Sequence, residues 1–257
     1  MKALITGATS GLGKDMAIIL SEMGYDIVAV GRREELLYEL KEKLQSNVEI
    51  VCADVTKSDD IEKISSYFDE ADVFINNAGF GVFGSICETS LEDEMRMLET
   101  NVKAVHILTK LAAQKFREKN TGHILNVASI AAFFPGPLFA SYYSTKAYVF
   151  RLTESLYEEL RREKSNVKIS VLCPGPVRTG FEAVAGVSFG KGDEPGRDLI
   201  IADSKKVSRY AIKMLFKGKL IIVPGMLMKI AVFLRRIFSE KMLCKMLYIL
   251  QSKKFVQ

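Results

Sequence analysis

Short apolar runs alternate with segments of helical periodicity along most of the chain. The apolar runs predict seven strands, at residues 2–6, 26–30, 48–52, 72–75, 122–127, 167–173 and 220–223. The intervening segments repeat apolar residues every three or four positions, which predicts helices at about residues 12–23, 33–45, 58–68, 90–117, 142–164 and 203–216. This alternation is typical of a doubly wound α/β fold, with a mainly parallel seven-stranded sheet and helices on both faces.

Residues suited to ligand binding cluster where the predicted strands end. The first strand runs into TGATSGLG at residues 6–13, and a helix follows directly. Glycines permit a sharp turn and close approach to a bound group, and the start of a helix favours an anion. Arg32, Asp54 and Asn77 follow the next strands. We therefore expect all of them to line one edge of the sheet, where such folds bind dinucleotides.

The residues after the second strand bear on which dinucleotide is bound. Units that prefer NAD usually place an acidic residue there, on the ribose 2′-hydroxyl. This chain has Arg32 and Arg33, which suit a 2′-phosphate, and Ser10 offers a hydroxyl to the same phosphate. Glu34 and Glu35 leave NAD open, because either could be the acid if the loop is offset. We favour NADP(H) over NAD(H).

Tyr142 and Lys146 are four residues apart, so they share one face of a predicted helix. A lysine ammonium favours the phenolate, which predicts a Tyr142 pKa below the usual value of about 10. A tyrosine tuned in this way can transfer a proton near neutral pH. Taken alone, the spacing is also a common accident on helices.

Four motifs occur in a fixed order along the chain. They are TGxxxGxG at residues 6–13, NNAG at 76–79, the set Asn101, Ser129, Tyr142 and Lys146, and PG at 174–175. Together they resemble the short-chain dehydrogenase/reductase family over about residues 1–223. The resemblance implies a Rossmann-like fold in a single dehydrogenase domain, residues 1–223. It implies a hydride transfer between a nicotinamide and a carbonyl or secondary alcohol.

The resemblance also implies roles for single residues. Tyr142 would be the general acid for ketone reduction and the base for alcohol oxidation. Lys146 would lower the Tyr142 pKa and hold the ribose hydroxyls, and Ser129 would stabilise charge on the substrate oxygen. Asn101 would hold a water that links Lys146 to solvent. Tyr143, at the wrong spacing from Lys146, would line the pocket or pack. The expected cofactor contacts include Tyr142 and Lys146 together with Gly7, Ser10, Gly11, Leu12, Gly13, Arg32, Arg33, Asp54, Val55, Asn77, Ala78, Gly79, Pro174, Gly175, Val177 and Thr179.

The substrate side of the expected pocket is apolar. Phe133, Phe134 and Phe181 are the candidate pocket residues, and the resemblance implies a substrate lid over about residues 178–202. We expect a bulky or lipid-like carbonyl substrate, although such loops are apolar in many family members. The alternative function is a catalytically silent nucleotide-binding regulatory or scaffold protein of the same fold. The intact tetrad argues against that alternative.

The remaining composition narrows the class of protein. The four cysteines are far apart, which indicates reduced thiols in the cytosol, and two separated histidines make a metal site improbable. The chain begins as a strand and carries no signal peptide pattern. We therefore expect a cytoplasmic protein without a metal, and no nucleic-acid recognition motif accompanies its basic residues.

The C-terminal part differs from the rest in charge. Residues 205–257 contain thirteen Lys and Arg against one acid, a net charge of +12, and residues 1–204 carry −7. Residues 224–257 form a basic, apolar helical extension, interrupted too often by charge to span a membrane. Such helices can lie in a membrane interface at the inner face of the membrane. They can equally pack on the core or in a homodimer or homotetramer, the assemblies that the resemblance implies.

Overall fold

A computed structural model describes residues 1–181 and 201–252 of the chain. Most of the predicted lid, residues 178–202, lies outside the described residues. Within them the seven strands are β1 Lys2–Thr6, β2 Asp26–Gly31, β3 Val48–Cys52, β4 Val73–Asn76, β5 His123–Val127, β6 Lys168–Leu172 and β7 Ile221–Ile222. They form one sheet in the order β3-β2-β1-β4-β5-β6-β7. Every neighbouring pair is parallel, so the predicted doubly wound, Rossmann-like fold is confirmed.

Helices cover both faces of this sheet. They are α1 Gly11–Glu22, α2 Glu34–Lys41, α3 Ser58–Ser65, α4 Leu91–Leu98, α5 Val105–Lys119, α6 Ala140–Arg162, α7 Ser204–Phe216, α8 Met226–Leu234 and α9 Glu240–Ser252. Apolar side chains of α1, α2 and α7 form one core against the sheet, and those of α3, α5 and α6 form the other. The continuous apolar runs of the strands follow from burial on both faces.

The structure interrupts the helix predicted over residues 90–117. Helix α4 begins after Ser90, whose side chain accepts a hydrogen bond from the Asp93 amide, as expected of an N-cap. A π-helical segment, Glu99–Ala104, then separates α4 from α5. Such segments are rare and often occur at functional sites. This one contains Asn101.

The C-terminal extension folds back on the rest of the chain through a few buried residues. The thioether of Met228 in α8 lies against Gly175, so that a Cβ on that glycine would be 2.6 Å from the sulfur. Leu243 and Gln251 of α9 are buried. Among the described residues, no helix is both long and apolar enough to cross a membrane.

Candidate active site

The carboxyl ends of the strands open into a cleft of about 760 Å³. Most of the residues predicted from the sequence line it, namely Gly7, Ser10, Gly11, Leu12, Arg32, Arg33, Asp54, Val55, Asn77, Ala78, Gly79, Ser129, Tyr142, Lys146, Pro174, Gly175, Val177, Thr179 and Phe181. The structure thus brings six strand ends and the start of α6 to one place. Gly13, Asn101, Phe133 and Phe134 are not among the lining residues.

The glycine turn between β1 and α1 is packed too closely for any side chain at Gly13. A Cβ there would lie 2.3 Å from the Gly7 carbonyl oxygen and 2.4 Å from Asn77 Nδ2. Gly7 and Gly11 have φ values of 65° and 54°, which L side chains rarely adopt. The turn therefore needs glycine and exposes its backbone at the start of α1, the geometry expected of a pyrophosphate cradle.

Thr6 and Asn77 join the ends of β1 and β4. The Asn77 side-chain amide donates to the carbonyls of Thr6 and Gly7, at 3.0 and 3.2 Å. The Thr6 hydroxyl accepts from the amides of Asn77 and Ala78, at 2.9 and 3.1 Å. Asn77 therefore positions the glycine turn. Sequence reasoning assigned Thr6 no role of its own, although its hydroxyl completes this network.

The two arginines after β2 take different positions. Arg33 donates from Nη2 to the Thr9 hydroxyl at 3.0 Å and to the Ser10 hydroxyl at 3.4 Å. Arg32 lies 3.9 Å from an Asp54 carboxylate oxygen. Burial acts to raise the pKa of Asp54, but hydrogen bonds from Thr56 and the Arg32 charge bring it below the usual value. Thr9 was not predicted, and its hydroxyl joins Ser10 and Arg33 in one polar corner.

Tyr142 lies in the wall of the cleft beside Ser129. Its ring stacks on Phe139 with centroids 4.4 Å apart, and Phe181 lies 5.4 Å away. Ser129 follows β5 and accepts a hydrogen bond from the Ala131 amide at 3.1 Å. Burial raises the pKa of Tyr142 above its usual value, and a hydrogen bond with Ser129 acts in the opposite direction. The two hydroxyls therefore lie close to each other in the cleft wall.

Lys146 is buried one turn further along α6. Its Nζ donates to the Val127 carbonyl at 3.1 Å and lies 5.7 Å from the Tyr142 ring centroid. Burial lowers the pKa of Lys146 to about 8. The expectation of a Tyr142 pKa below its usual value is wrong for these side chains by themselves, because burial raises that pKa and the lowering effect of Ser129 does not offset burial.

Asn101 stands behind the cleft, fully buried. Its side chain accepts from the Phe80 amide at 3.1 Å and donates to the Phe80 carbonyl at 2.7 Å and to the Thr145 hydroxyl at 3.2 Å. A Cβ on Gly79 would lie 3.0 Å from Asn101 Oδ1 and 3.3 Å from Lys146 Nζ. Asn101, in the π-helical segment, and the cleft-lining Lys146 therefore both lie against Gly79.

The apolar wall differs from the one predicted. Phe133 packs on Phe150 with centroids 4.7 Å apart, in a separate core, because the 3-10 turn Ile130–Phe133 carries it away from the cleft. Phe134 follows that turn and also lies outside the lining. Phe139 and Phe181 form the wall with Tyr143 and the unpredicted Phe80, Val82 and Phe83. Assigning Phe133 and Phe134 to the pocket was therefore wrong.

The segment after β6 borders the cleft on its other side. The Pro174 carbonyl accepts from the Ile130 amide at 2.8 Å, which ties this segment to the turn after Ser129. Val177 pairs with Ala202 in a parallel bridge. The side chain of Thr179 lies over Gly11 of the glycine turn, 3.1 Å from where a Cβ would stand. The two ends of the predicted lid therefore meet at the edge of the cleft.

A family model described as short chain dehydrogenase matches residues 1–186 of this chain. The chain belongs to the short-chain dehydrogenases. An uncharacterized oxidoreductase of Staphylococcus epidermidis is 33% identical over 193 residues, which cover 74% of this chain and 82% of the relative. One from Staphylococcus aureus is 32% identical, with 75% and 85% covered. The predicted enzyme class, an oxidoreductase of this family, is confirmed.

Solved short-chain dehydrogenases share the fold over most of this chain. A short-chain dehydrogenase from Sphingobium yanoikuyae, in complex with NADPH, is 26% identical, with a TM-score of 0.77 and 88% of each chain covered. A family member from Burkholderia phymatum, in complex with NAD, is also 26% identical, with a TM-score of 0.80 and coverage of 91% of this chain and 92% of that one. Short-chain dehydrogenases similar to this chain therefore bind either nicotinamide cofactor.

Proposed function

We propose that this short-chain dehydrogenase transfers a hydride between NADP(H) and an apolar carbonyl or secondary alcohol. The observation that carries the proposal is the grouping of Tyr142, Ser129 and Lys146 at one point of the cleft wall, with Asn101 behind it. When bound, the nicotinamide supplies or accepts the hydride and, in its oxidised form, adds a positive charge. The glycine turn at residues 7–13 fits its pyrophosphate.

Tyr142 holds the proton in this proposal. Its pKa is raised by burial, so its hydroxyl stays protonated at neutral pH and can act as the general acid on a carbonyl oxygen. The Ser129 hydroxyl lies beside it and would hydrogen-bond the same oxygen as charge develops there. For alcohol oxidation the phenolate is needed, and the charges of Lys146 and of the oxidised nicotinamide would favour it.

Lys146 and Asn101 resupply the proton in this proposal. A lysine with a pKa of about 8 changes protonation near neutral pH, which suits a relay. Its Nζ lies behind Gly79 near Asn101 Oδ1. Asn101 would position a water between the lysine and solvent, as the family resemblance implies.

We favour NADP(H) because of the corner formed by Thr9, Ser10 and Arg33. Two hydroxyls and a guanidinium meet there within hydrogen-bond distance, as a 2′-phosphate requires. Glu34 and Glu35, which kept NAD open at the sequence level, begin α2 and are not among the residues that line the cleft. This geometry favours NADP(H), which has a 2′-phosphate, over NAD(H), whose ribose 2′-hydroxyl would be held by an acidic residue.

A panel of ketones and aldehydes tests the proposal, with NADPH absorbance as the readout. We expect turnover of bulky apolar carbonyls by the wild type and none by Tyr142→Phe, with NADPH binding retained by the variant. Tyr143→Phe is the matched control, because it removes a neighbouring hydroxyl and should keep turnover. Absence of turnover across the panel would support the alternative of a silent nucleotide-binding protein. The homodimer or homotetramer stays a prediction, which light scattering of the full chain tests.

A further inference from the structure

Helices α8 and α9 each carry an apolar stripe on their exposed side. On and just after α8, Met226, Ile230, Phe233 and Ile237 recur every three or four residues and are 69%, 45%, 63% and 69% exposed. On α9, Met242, Met246 and Ile249 do the same, at 42%, 50% and 53%. We call these seven residues the tail stripes. Apolar helix faces of this size usually have a partner.

The charge around the tail stripes points to the kind of partner. Residues 224–252 carry five cations, Lys229, Arg235, Arg236, Lys241 and Lys245, against one acid, a net charge of +4. The acid, Glu240, already lies 3.4 Å from Arg235. A symmetric contact between two copies would set this positive surface against itself. An anionic surface complements both the charge and the apolar stripes.

The inner sides of the same helices touch the substrate cleft. Gln251 of α9 is 1% exposed and donates from Nε2 to the Tyr143 hydroxyl at 3.1 Å. Met228 of α8 packs on Gly175. Both Tyr143 and Gly175 line the cleft. Whatever the tail stripes bind is therefore held next to the substrate site.

We propose that the tail stripes and their lysines dock this enzyme on an anionic lipid bilayer, with the cleft beside the lipid. Helix α8 has nine residues and α9 thirteen, so each suits the interface plane rather than the roughly 20 residues of a span. The acidic body, residues 1–204, would be repelled from the same surface, which orients the molecule. Apolar substrates would then reach the cleft from the bilayer.

Flotation of the full chain with vesicles tests this docking without any turnover. We expect binding to vesicles of phosphatidylglycerol and phosphatidylcholine in equal parts, little binding to phosphatidylcholine alone, and release at high salt. Met226→Ser with Ile237→Ser should weaken binding about tenfold or more. Its control is Met23→Ser with Ile86→Ser, the same residue types at 48% and 60% exposure outside the tail.

A second pair of variants tests the charge. Lys241→Glu with Lys245→Glu should weaken binding about tenfold or more, and Lys63→Glu with Lys110→Glu, an equal charge change elsewhere, should weaken it far less. Equal binding by tail and control variants, or no binding by the wild type, would overturn the proposal. So would light scattering that shows a wild-type oligomer which Met226→Ser with Ile237→Ser dissolves, because a second copy would then cover the stripes.

Discussion

Replacement of Arg33 by alanine should weaken the binding of NADPH much more than that of NADH. Arg33 reaches the hydroxyls of Thr9 and Ser10 at 3.0 and 3.4 Å, the corner proposed for the 2′-phosphate. A hydrogen bond to a charged group contributes about 1.5–3 kcal/mol. Because each 1.4 kcal/mol is a factor of ten, NADPH should bind about 10- to 100-fold more weakly to Arg33→Ala. NADH has no 2′-phosphate, so its affinity should change less than about threefold.

Arg32→Ala should cost less NADPH affinity than Arg33→Ala. Arg32 is 65% exposed and its charge is partly compensated by Asp54 at 3.9 Å. Arg151→Ala, which removes an exposed arginine of α6 that does not line the cleft, controls for the loss of one positive charge. Fluorescence titration of NADPH and NADH at fixed ionic strength gives all the dissociation constants. Equal losses for both cofactors in Arg33→Ala, or tighter binding of NADH by the wild type, would refute the assignment.

Two further predictions concern the glycine turn and the buried lysine. Gly13→Ala should lower the free energy of unfolding by about 1–3 kcal/mol and weaken NADPH binding, because its Cβ would stand 2.3 Å from the Gly7 carbonyl oxygen. Gly180→Ala, whose Cβ would meet no atom of the described residues within 4 Å, should change little in urea unfolding. Burial lowers the pKa of Lys146 to about 8, so the unfolded chain binds more protons above that pH. The wild type should therefore gain about 2 kcal/mol of stability from pH 8 to pH 10 relative to Lys146→Met. If the free energy of unfolding changed equally with pH in the two proteins, the conclusion that burial lowers the pKa of Lys146 would be contradicted.

The order of strands and helices could be read from the sequence because the sheet is buried on both faces. Its strands are continuous apolar runs, such as Leu4 and Ile5 in β1, and polar motif residues follow them directly. The convergence of these motif residues could therefore be predicted without knowledge of long-range contacts. The parallel order of the strands brings Gly7, Asn77 and Ser129 to the same edge.

The π-helical segment at Asn101 could not be predicted in the same way. Helical periodicity continues through residues 90–117, and no local signal marks the break. The break is accompanied by contacts far along the chain, from Asn101 to Phe80 and Thr145. Long-range contacts of this kind determine the local backbone geometry, but they produce no recognisable pattern in the neighbouring sequence.

The pocket wall and the Tyr142 pKa were misjudged for a related reason. Phe133 is close to Ser129 in sequence, but a single 3-10 turn sends its ring to Phe150 instead of the cleft. The spacing of Tyr142 and Lys146 indicates in which direction the lysine charge acts on the tyrosine pKa. The burial of the two side chains depends on the folded cleft and cannot be derived from that spacing. That burial raises the pKa of the tyrosine and lowers that of the lysine.

Deuterium transfer from NADPH that carries deuterium at both positions of the reactive ring carbon tests the central claim most directly. With a ketone that the enzyme reduces, we expect the label on the carbinol carbon of the alcohol formed by the wild type. Tyr142→Phe should bind the labelled NADPH and form no alcohol, because it lacks the proton that the product oxygen needs. Product without the label, or full label transfer by Tyr142→Phe, would contradict hydride transfer with Tyr142 as the proton donor.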